Sequence, residues 1–586
     1  MKNVIIFCLA MFTSFQVVAQ QHKISGTIID SNDGLEMIGV NIIEKGTSNG
    51  TVTDFDGKYS LNVSSGSSVI LITSIGYETL EINVSNRSII DLEMKEDSEL
   101  LDEVVVVAYG SQKKVTVTGS VSNVSGSEIL KSQAPSLGNA LAGKLPGVST
   151  VQYSGLPGGD DPLILVRGVA SLSTDGSEPL VMVDGVERSF TQIDPNEVED
   201  ITILKDASAT AVFGVRGANG VILVTTKRGK VGKTQISASA SYGVQTPTMF
   251  LDFVNSYEYA TTYNQAQRRD GLAESELRFS SEAIQHFKDR DLPLLYPDMN
   301  WVDYIMKSMA PQTQENLNIS GGNERARFFV SVGFLQQDGL FRTFSTSSKE
   351  KFSYNRYNYR ANLDLNIDKI NSFSVNLGGR LEDRTALPRG EGEIFESILF
   401  APPMSGAGIV DGKRIVANTQ YVGDDMDEDP MRFYGSGHQS TANNVLNLDL
   451  IYSAKLDLVT QGLNFKLKGS YNSTYAHTKK WENYQTFPTY KPYMLDDGTI
   501  VLETSGDKWK PEYSEQTNVW RDWYAEASFD YARTFGKHDV TALLLYNQSK
   551  SYYPWPYQEI PRGYVGMVGR VTYNYLTRYL FDFNAG

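Results

Sequence analysis

The sequence is poor in cysteine, in histidine and in net positive charge. Of 586 residues, one is Cys (Cys8) and five are His, and the formal net charge is −16 at pH 7. Nucleic-acid-binding proteins carry basic patches, so the charge argues against a nucleic-acid partner. The scattered histidines have no metal spacing and no Ser-His-Asp or Cys-His set can be assembled. We therefore expect no metal, no cofactor and no enzymatic activity.

Long apolar runs are also missing after the first twenty residues. No later segment approaches 18 uninterrupted apolar residues, so a membrane-spanning chain of this sequence would have to span as a β-barrel. At the start, Lys2 precedes the mostly apolar stretch Val4–Val18, and small residues around Ala19 fit a cleavage site. Residues 1–20 therefore predict a secretory signal peptide that contains Cys8.

A phosphate-binding loop is absent despite a suggestive stretch, Leu204–Gly229. Gly232-Lys233-Thr234 follows it, but the residue five before Gly232 is Lys227, whereas a P-loop requires glycine there. The glycines within the stretch are spaced G-x-x-G-x-x-G, which is not the dinucleotide fingerprint. We interpret them as structural glycines in a helix, a tight turn and a strand.

Abundant Tyr, Phe and Gly indicate a mostly β protein, and short strands separated by turns dominate residues 21–96. Turns such as Asp56-Gly57 precede strands, which predicts a β-sandwich of about seven strands. The segment resembles the carboxypeptidase-D regulatory-like domain, a non-catalytic module. His22 is its one histidine, so it cannot build a zinc-peptidase site. We expect an accessory binding or docking module.

Residues 97–118 form a charged, Gly/Ser-containing linker around a four-valine run. Asp102 and Glu103 precede Val104–Val107, which strongly favours extended structure. The run fits a further core strand. It also fits a strand held available for pairing with the sheet edge of a partner, where main-chain hydrogen bonds supply affinity. From the residues alone both interpretations stay open.

Residues 119–229 mix short helices and strands, which predicts an α+β domain. Leucines at a spacing of four predict a helix over 136–145, ended by Pro146-Gly147. Further short helices are predicted from Asp194 and over 207–213. Strands are predicted at 180–183, 199–204 and 221–226, the last of them buried.

Residues 230–586 show repeated two-residue alternation of apolar and polar side chains. Phe373, Val375 and Leu377 take one face of a strand, and the residues between them are polar. Eleven strands are predicted near 235–246, 312–322, 325–336, 353–367, 371–383, 445–456, 462–474, 519–533, 537–549, 564–575 and 577–586. Long and short connections alternate strictly, as in outer-membrane barrels.

Eleven strands are half of the roughly 22 of a plugged transporter barrel. The last predicted strand stops at Gly586 without the terminal aromatic residue that usually closes such barrels. We therefore expect 230–586 to be the first half of a 22-stranded transmembrane barrel, truncated at its end.

Three segments make a family resemblance specific: Leu163-Ile164-Leu165-Val166-Arg167-Gly168, Val183-Asp184-Gly185 and Leu204–Gly229. They resemble the plug of the SusC/RagA family of TonB-linked outer-membrane proteins, and Leu101–Gly110 resembles its TonB box, with Ala108 in place of the usual glycine. The positions that match the plug motif are Arg167, Gly168, Asp184, Gly185, Lys205, Asp206, Gly214, Arg216, Gly217, Asn219 and Gly220.

The resemblance implies an outer-membrane importer whose plug fills its barrel. Asp102, Glu103 and Val104–Val107 would pair with TonB, driven by its ExbB/ExbD complex. A SusD-type surface lipoprotein would cap the barrel, and the cargo would be oligosaccharide or peptide. A siderophore or cobalamin receptor is the first alternative, against which the plug motif and the sandwich argue. A secreted β-rich adhesin or structural protein is the second, against which the alternation of connections argues.

Aromatic residues crowd two of the long connections. Trp481, Tyr484, Trp509 and Trp555 are candidate substrate contacts, because aromatic faces stack on sugar rings or pack a ligand. Packing among loops, against a partner protein or at the membrane interface are the alternatives. The acidic run Asp424–Asp429 offers carboxylates to calcium but lacks the glycine and distal glutamate of an EF-hand, so we expect a solvated loop.

Overall fold

The computed structural model describes residues 22–586 apart from 32–34, 48, 75–76, 96–103, 108–109, 114–119, 170–176, 249–251, 345–350, 427, 435, 483–487, 506–511, 553–559 and 577–578. Two compact units are present: Met1–Val105 with Gly110–Val117, and Val106–Tyr109 with Thr118–Gly586. Within the described ranges, no helix has both the length and the hydropathy that crossing a membrane requires.

The first unit contains the predicted sandwich. Its strands are β1 (His22–Asp30), β2 (Asn41–Glu44), β3 (Gly50–Val52), β4 (Lys58–Val63), β5 (Val69–Thr73), β6 (Leu80–Asn83) and β7 (Leu92–Met94). They form one sheet of order β4-β1-β7 and another of order β3-β2-β5-β6. Alternate residues point inward, as Tyr59, Leu61 and Val63 do in β4. The prediction of about seven strands is confirmed.

The valine run is extended, as predicted. Strand β8 (Val104–Val107) forms a two-stranded sheet with β9 (Gly110–Lys113). Two neighbouring residues of the linker, Asp102 and Glu103, lie outside the described residues.

The plug region of the second unit is a small α+β domain. Its strands are β10 (Val121–Ser125), β11 (Val148–Val151), β12 (Leu163–Val166), β13 (Leu180–Val183), β14 (Val186–Glu187), β15 (Val198–Leu204) and β16 (Val221–Thr226). Five of them form a sheet of order β10-β15-β16-β13-β14, and β11 pairs with β12. The core includes Ile129, Leu141, Val183, Ile201 and Ile222.

The plug helices are shorter than the sequence predicts. The α-helices are Gly126–Leu130, Leu137–Ala140 and Ala207–Thr210, and the 3₁₀ helices are Phe190–Gln192, Pro195–Glu197 and Ala211–Gly217. The helix predicted over 136–145 ends early, and Gly143 then adopts a φ of +72°. The helix predicted over 207–213 changes to 3₁₀ geometry, and Gly214 at φ +57° interrupts it. Glycine accepts these angles without a side-chain clash, which explains both differences.

Eleven long antiparallel strands form one continuous sheet. The strands from β17 onward are β17 (Gly232–Gln245), β18 (Ala310–Gly322), β19 (Ala326–Asp338), β20 (Ser353–Asn366), β21 (Asn371–Ala386), β22 (Gly406–Val410), β23 (Lys413–Val416), β24 (Gly437–Lys455), β25 (Leu463–Glu482), β26 (Thr489–Met494), β27 (Ile500–Ser505), β28 (Glu512–Phe535), β29 (His538–Tyr552), β30 (Arg562–Tyr575) and β31 (Tyr579–Ala585). The large sheet has the order β17-β18-β19-β20-β21-β24-β25-β28-β29-β30-β31. All eleven predicted strands are confirmed.

The connections of the sheet alternate between its two ends, which we call the long-loop end and the short-turn end. For example, β20 and β21 are joined by four residues, 367–370, whereas β21 and β24 are joined by the long segment 387–436. Strands β24, β25 and β28 run 8, 8 and 7 residues further toward the long-loop end than predicted. Their alternation is masked there by polar side chains on both faces.

The two faces of the sheet differ sharply in polarity. Buried polar side chains line the face that meets the plug: Asn316, Arg356, Arg360, Asn376, Asp449, Lys468, Glu526 and Asn547. The opposite face exposes large apolar side chains: Val332, Leu381, Leu450, Leu467, Phe529, Leu544 and Met567. Soluble monomers rarely expose so large an apolar surface. The alternation predicted from sequence therefore separates a plug-facing side from an apolar outer side.

The long connections are folded, whereas the sequence analysis treated them as loops. They contain α-helices at Ser256–Arg269, Ser281–Asp289, Trp301–Ile305, Glu391–Phe400 and Thr419–Val422, 3₁₀ helices at Glu274–Glu276 and Pro430–Phe433, and a sheet of order β22-β23-β26-β27. The first helix begins with a capping box, in which Asn255 and Glu258 bond each other's backbone N–H groups. That pattern is readable in the sequence, so the helix was predictable.

Candidate functional site

The plug is held against the polar face of the sheet by buried ion pairs, which together we call the seam. Glu197 Oε2 lies 2.7 Å from Arg360 Nε, and both side chains are at most 3% exposed. Asp194 Oδ2 lies 3.1 Å from Arg356 Nη2, and this pair is also buried. A short loop, Asp194 to Glu197, thus places two plug carboxylates on two arginines of β20. These arginines stand four residues apart, so both side chains point to the same face.

The seam also contains pairs of the opposite polarity, in which the plug supplies the cation. Arg188 bonds Asp449 of β24 through both Nη atoms and donates from Nε to Asn472 Oδ1 at 3.0 Å. Arg228 Nη1 lies 2.6 Å from Asp364 Oδ1 of β20 in a further pair that is only partly buried. A buried pair contributes little net stability, but removing one partner leaves an uncompensated buried charge that costs about 3–5 kcal/mol. The seam therefore fixes where the plug sits.

Two buried carboxylates of the plug differ in their pKa. Burial raises the pKa of Glu197 to about 7, although the positive charge of Arg360 opposes the shift. Burial also acts on Asp184, but the charges of Arg228 and Arg360 and two hydrogen bonds from Thr226 hold its pKa below the ordinary value. The number of donors around each carboxylate explains the difference.

The start of the plug is attached differently, through Asp206, and we call this attachment the anchor. Asp206 Oδ2 accepts a hydrogen bond from the Ser120 backbone N–H at 2.6 Å, and Oδ1 pairs with Arg167 Nη2 at 2.6 Å. The side chains of Arg167 and Asp206 are 53% and 34% exposed. These two hydrogen bonds hold the pKa of Asp206 below its usual range. Ser120 immediately precedes β10, an edge strand that pairs only with β15 among the described strands.

Most plug-motif residues join the parts of this domain rather than face a ligand. Lys205 donates to the Pro146 carbonyl, and Asn219 donates to the Glu178 carbonyl at 3.2 Å. Gly220 adopts φ +88°, and a Cβ there would lie 2.9 Å from Val166. Arg167, Gly168, Asp184, Gly185 and Gly214 also have positive φ, while Gly217 packs against Thr210. This agrees with a structural use of glycine in the motif.

A cavity of about 1160 Å³ lies between the plug and the long-loop halves of β28, β29 and β30. The residues that line it include Glu187, Arg216, Asp522, Tyr524, Asn547 and Tyr564. Arg216 pairs with Glu187 and stacks over the Tyr564 ring, 4.9 Å from its centroid. The lining thus combines charges, amides, hydroxyls and aromatic rings. Such a surface suits a large polar ligand with some flat or apolar faces.

The structure places one of the four predicted substrate-contact residues. Trp481 of β25 stacks on His438, with ring centroids 4.4 Å apart, and lies 5.0 Å from the Tyr513 ring. Trp481 is an even number of residues from Leu467 and Tyr471, so its side chain faces away from the plug as theirs do, whereas Lys468 faces the plug. Tyr484, Trp509 and Trp555 lie outside the described residues.

In the described ranges, no cluster of three or more His, Cys, Asp or Glu side chains is placed to hold an ion. Within the acidic run, Asp429 pairs with Arg414 at 3.1 Å, and Asp425 pairs with Arg278 at the same distance. Asp427 is outside the described residues. Asp425 and Asp429 thus act as local ion-pair partners.

The seam residues were missed by reasoning from the sequence. Arg356 and Arg360 stand on the polar side of β20, where alternation predicts a lumen-facing position. That pattern marks which side they face, but not that Asp194 and Glu197 of the plug meet them 162 and 163 residues away in sequence. For the cavity residues Asp522 and Tyr524, alternation likewise predicts a lumen-facing position but no contact partner.

Two domain models match the chain. A CarboxypepD_reg-like domain matches residues 24–106, and a TonB-dependent Receptor Plug Domain matches residues 113–221. A TonB-dependent receptor of Formosa agariphila is 30% identical over 555 residues, covering 93% of this chain and 48% of the relative. The TonB-dependent receptor SusC of Bacteroides thetaiotaomicron is 34% identical over 355 residues, covering 58% and 33%.

The fold has a counterpart in a solved structure, the RagAB peptide importer in an open-open state. The TM-score is 0.58 at 20% identity, with 82% of this chain and 56% of that chain covered. The chain spans about half the length of the curated relatives that it matches over nearly its whole length. The curated relatives are named as receptors, which agrees with the expectation that the chain is not an enzyme. The chain therefore carries, in order, a regulatory-like domain, a TonB-dependent receptor plug domain and a sheet of eleven strands, and over these regions it is similar to TonB-dependent receptors of the SusC type and shares its fold with RagA.

Proposed function

We propose that the chain acts in an outer-membrane, TonB-dependent importer of oligosaccharides or peptides. The observation that carries the proposal is the seam, where a plug sits on the polar face of a sheet whose other face is apolar and exposed. Such a sheet suits a barrel wall between lipid and a plugged lumen. The long-loop end would face outside and the short-turn end the periplasm. The family of the relatives supports the same assignment.

The import cycle follows from these parts. A ligand enters from outside and binds in the cavity against Arg216, Tyr524 and Tyr564. TonB, energised by ExbB/ExbD, pairs with Val104–Val107 by strand addition, which uses main-chain hydrogen bonds. Force on this segment reaches the plug at Ser120 and peels β10 from β15, while the seam retains the rest.

A SusD-type surface lipoprotein is the proposed partner at the outer end. The folded long connections offer it a surface: on the helix Glu391–Phe400, Phe395 is 42% and Phe400 78% exposed, while Ile394 and Ile398 are buried. Exposed aromatic side chains of this kind are typical of protein contacts. The cavity supports a hydrogen-bonding cargo, because its lining carries charges and amides beside tyrosine rings.

The test uses the full-length protein in its native host, with fluorescent oligosaccharide and peptide panels. Val105→Pro removes a backbone N–H that strand pairing needs, whereas Val105→Thr keeps the N–H and the β-branched side chain. We expect both variants to bind cargo at the cell surface, and the proline variant to lose at least about ten-fold in uptake. Equal uptake by both variants would overturn TonB coupling through this strand. Surface binding without uptake by the wild type would favour an adhesin, and uptake of iron chelates alone a siderophore receptor.

A further inference from the structure

The outward face of β28 carries two arginines separated by an apolar stretch. Pairing with β25 and β29 puts Arg533, Phe529 and Arg521 on the same side, away from the plug-facing Glu526. Tyr531, two alanines and Trp523 occupy the remaining outward positions between the arginines. Arg533 lies near the short-turn end, over the Phe535 ring at 4.9 Å. Arg521 lies toward the long-loop end and is exposed.

The separation of these arginines matches a membrane. Twelve residues at a rise of about 3.3 Å span about 40 Å along the strand. With a strand tilt of about 35–45°, this gives about 30 Å along the membrane normal, close to the apolar band of about 25 Å with its aromatic girdles. Arg521 therefore lies just beyond the apolar band, at the level of lipid headgroups on the long-loop side.

A second cation meets Arg521 at this level. Lys550 of β29 lies directly opposite Trp523, and Tyr552 lies opposite Arg521. The Tyr552 ring is shared, with Arg521 Cζ 6.0 Å and Lys550 Nζ 5.2 Å from its centroid. The shared ring thus brings a guanidinium and an ammonium close to one phenolic hydroxyl. Arginine and lysine with a phenolic hydroxyl are also the donors that phosphate oxygens accept from most readily.

We propose that Arg521, Lys550 and Tyr552 form a binding site for the phosphate group of an anionic lipid in the outer leaflet. The site rests on the proposed membrane placement of the sheet. The lipid's acyl chains would lie along the apolar face that contains Phe529 and Leu544, which are 45% and 57% exposed. The phosphate would contact the guanidinium, the ammonium and the phenol at the edge of that face. A bound lipid would thus tie β28 to β29 at the outer end.

The experiment compares lipids bound to the full-length protein after purification in mild detergent, by native mass spectrometry. The test variant is Arg521→Gln/Lys550→Gln, and the matched control is Arg533→Gln/Lys537→Gln at the short-turn end. We expect wild type and control to retain a phosphorylated outer-leaflet glycolipid, and the test variant to lose at least about ten-fold in occupancy. Equal occupancy in all three proteins would overturn the site.

Two further arms identify the ligand and separate this proposal from the proposed function. Delipidated protein is titrated with the phosphorylated glycolipid, with its dephosphorylated form and with inorganic phosphate. Stabilisation by the phosphorylated lipid alone supports the site, whereas equal stabilisation by inorganic phosphate overturns a lipid site. Cell fractionation comes first: absence of the protein from the outer membrane defeats the proposed function. Correct localisation with no phosphate-dependent lipid binding defeats only this inference.

Discussion

The anchor and the seam hold the same plug by opposite means. At the anchor, one backbone N–H and one arginine meet an Asp206 carboxylate that is 34% exposed. At the seam, the carboxylates of Asp194 and Glu197 and their arginine partners are at most 7% exposed. Exposed charge pairs contribute little to stability, whereas removing one partner of a buried pair leaves an uncompensated charge that costs about 3–5 kcal/mol. The anchor can therefore open at little cost where a pull would arrive, whereas the seam fixes the position of the plug through charges that cannot be left unpaired.

This difference gives a domain that can open in part. Among the described strands, β10 pairs only with β15, through five residue pairs, and the Ser120 carbonyl also accepts a hydrogen bond from the Lys205 N–H. Strand β15 in addition pairs with β16 on its other side and directly follows Glu197. Force that enters at Ser120 loads the anchor and then these five pairs. The remaining strands stay seated on the sheet through the seam. A partial opening of this kind would leave a path without expelling the whole plug.

The largest expected effect comes from locking β10 to β15 with a disulfide. Asn123 and Thr202 are directly opposite in an antiparallel pair, whose Cα separation of about 4.5–5.5 Å suits a disulfide. Cys8, in the predicted signal peptide, is the one native cysteine, so Asn123→Cys/Thr202→Cys introduces a clean pair. We expect oxidation to reduce import at least about ten-fold and a reductant to restore it, as measured by uptake of labelled cargo.

The control disulfide joins β15 to β16, two strands that we expect to stay paired while β10 separates. Asp200→Cys/Thr225→Cys links β15 to β16 at a directly opposed pair of residues. Import should survive this second disulfide. Unimpaired import with β10 locked would show that the plug opens elsewhere or leaves whole. Loss of import in both oxidised variants would mean that the entire sheet must come apart.

The next effect concerns the seam alone. Arg360→Met leaves Glu197 buried without its cation, which should lower the free energy of opening of the plug sheet by about 3–5 kcal/mol. Since about 1.4 kcal/mol is a factor of ten, hydrogen exchange of the β15 and β16 amides should quicken at least about 100-fold. Glu197→Gln/Arg360→Met should recover much of the protection, because it leaves neither charge unpaired.

A matched arginine serves as the control for the seam. Arg268 pairs with Glu274 at 2.6 Å on the surface of a long connection, with side chains 44% and 74% exposed. Arg268→Met should leave the exchange of β15 and β16 unchanged. If Arg360→Met behaves like Arg268→Met, the seam does not hold the plug and the contrast with the anchor disappears.

How far the sequence could predict this arrangement depends on the range of the interaction. The eleven strands follow from period-two alternation, which is a local pattern. The alternation within a single strand assigns Val375 or Leu467 to the apolar face, and no information about a pairing partner is needed. The positions of Gly220 and Asp184 follow from a motif whose spacing is preserved. The pairing of Glu197 with Arg360 could not be predicted from the sequence, because a contact between residues 163 positions apart leaves no local pattern. The helices in the long connections were missed although Asn255 and Glu258 form a readable cap.

The smallest effect, and the most specific to the anchor, is its response to pH. Hydrogen bonds from Ser120 and Arg167 lower the pKa of Asp206 in the folded state. A carboxylate of lowered pKa stabilises the fold above its unfolded pKa of about 3.9, and this contribution is lost as pH falls through the folded value.

With the protein pulled from its N-terminus in a force-measuring trap, the first rupture force should be constant from pH 8 to about pH 5. It should fall below about pH 4. Asp206→Asn should give the low force at every pH, while Asp270→Asn, at an exposed helix end, should behave as wild type. A first rupture that ignores both pH and Asp206→Asn would place the initial resistance in the β10–β15 pairs alone, and the anchor would then be only a structural turn.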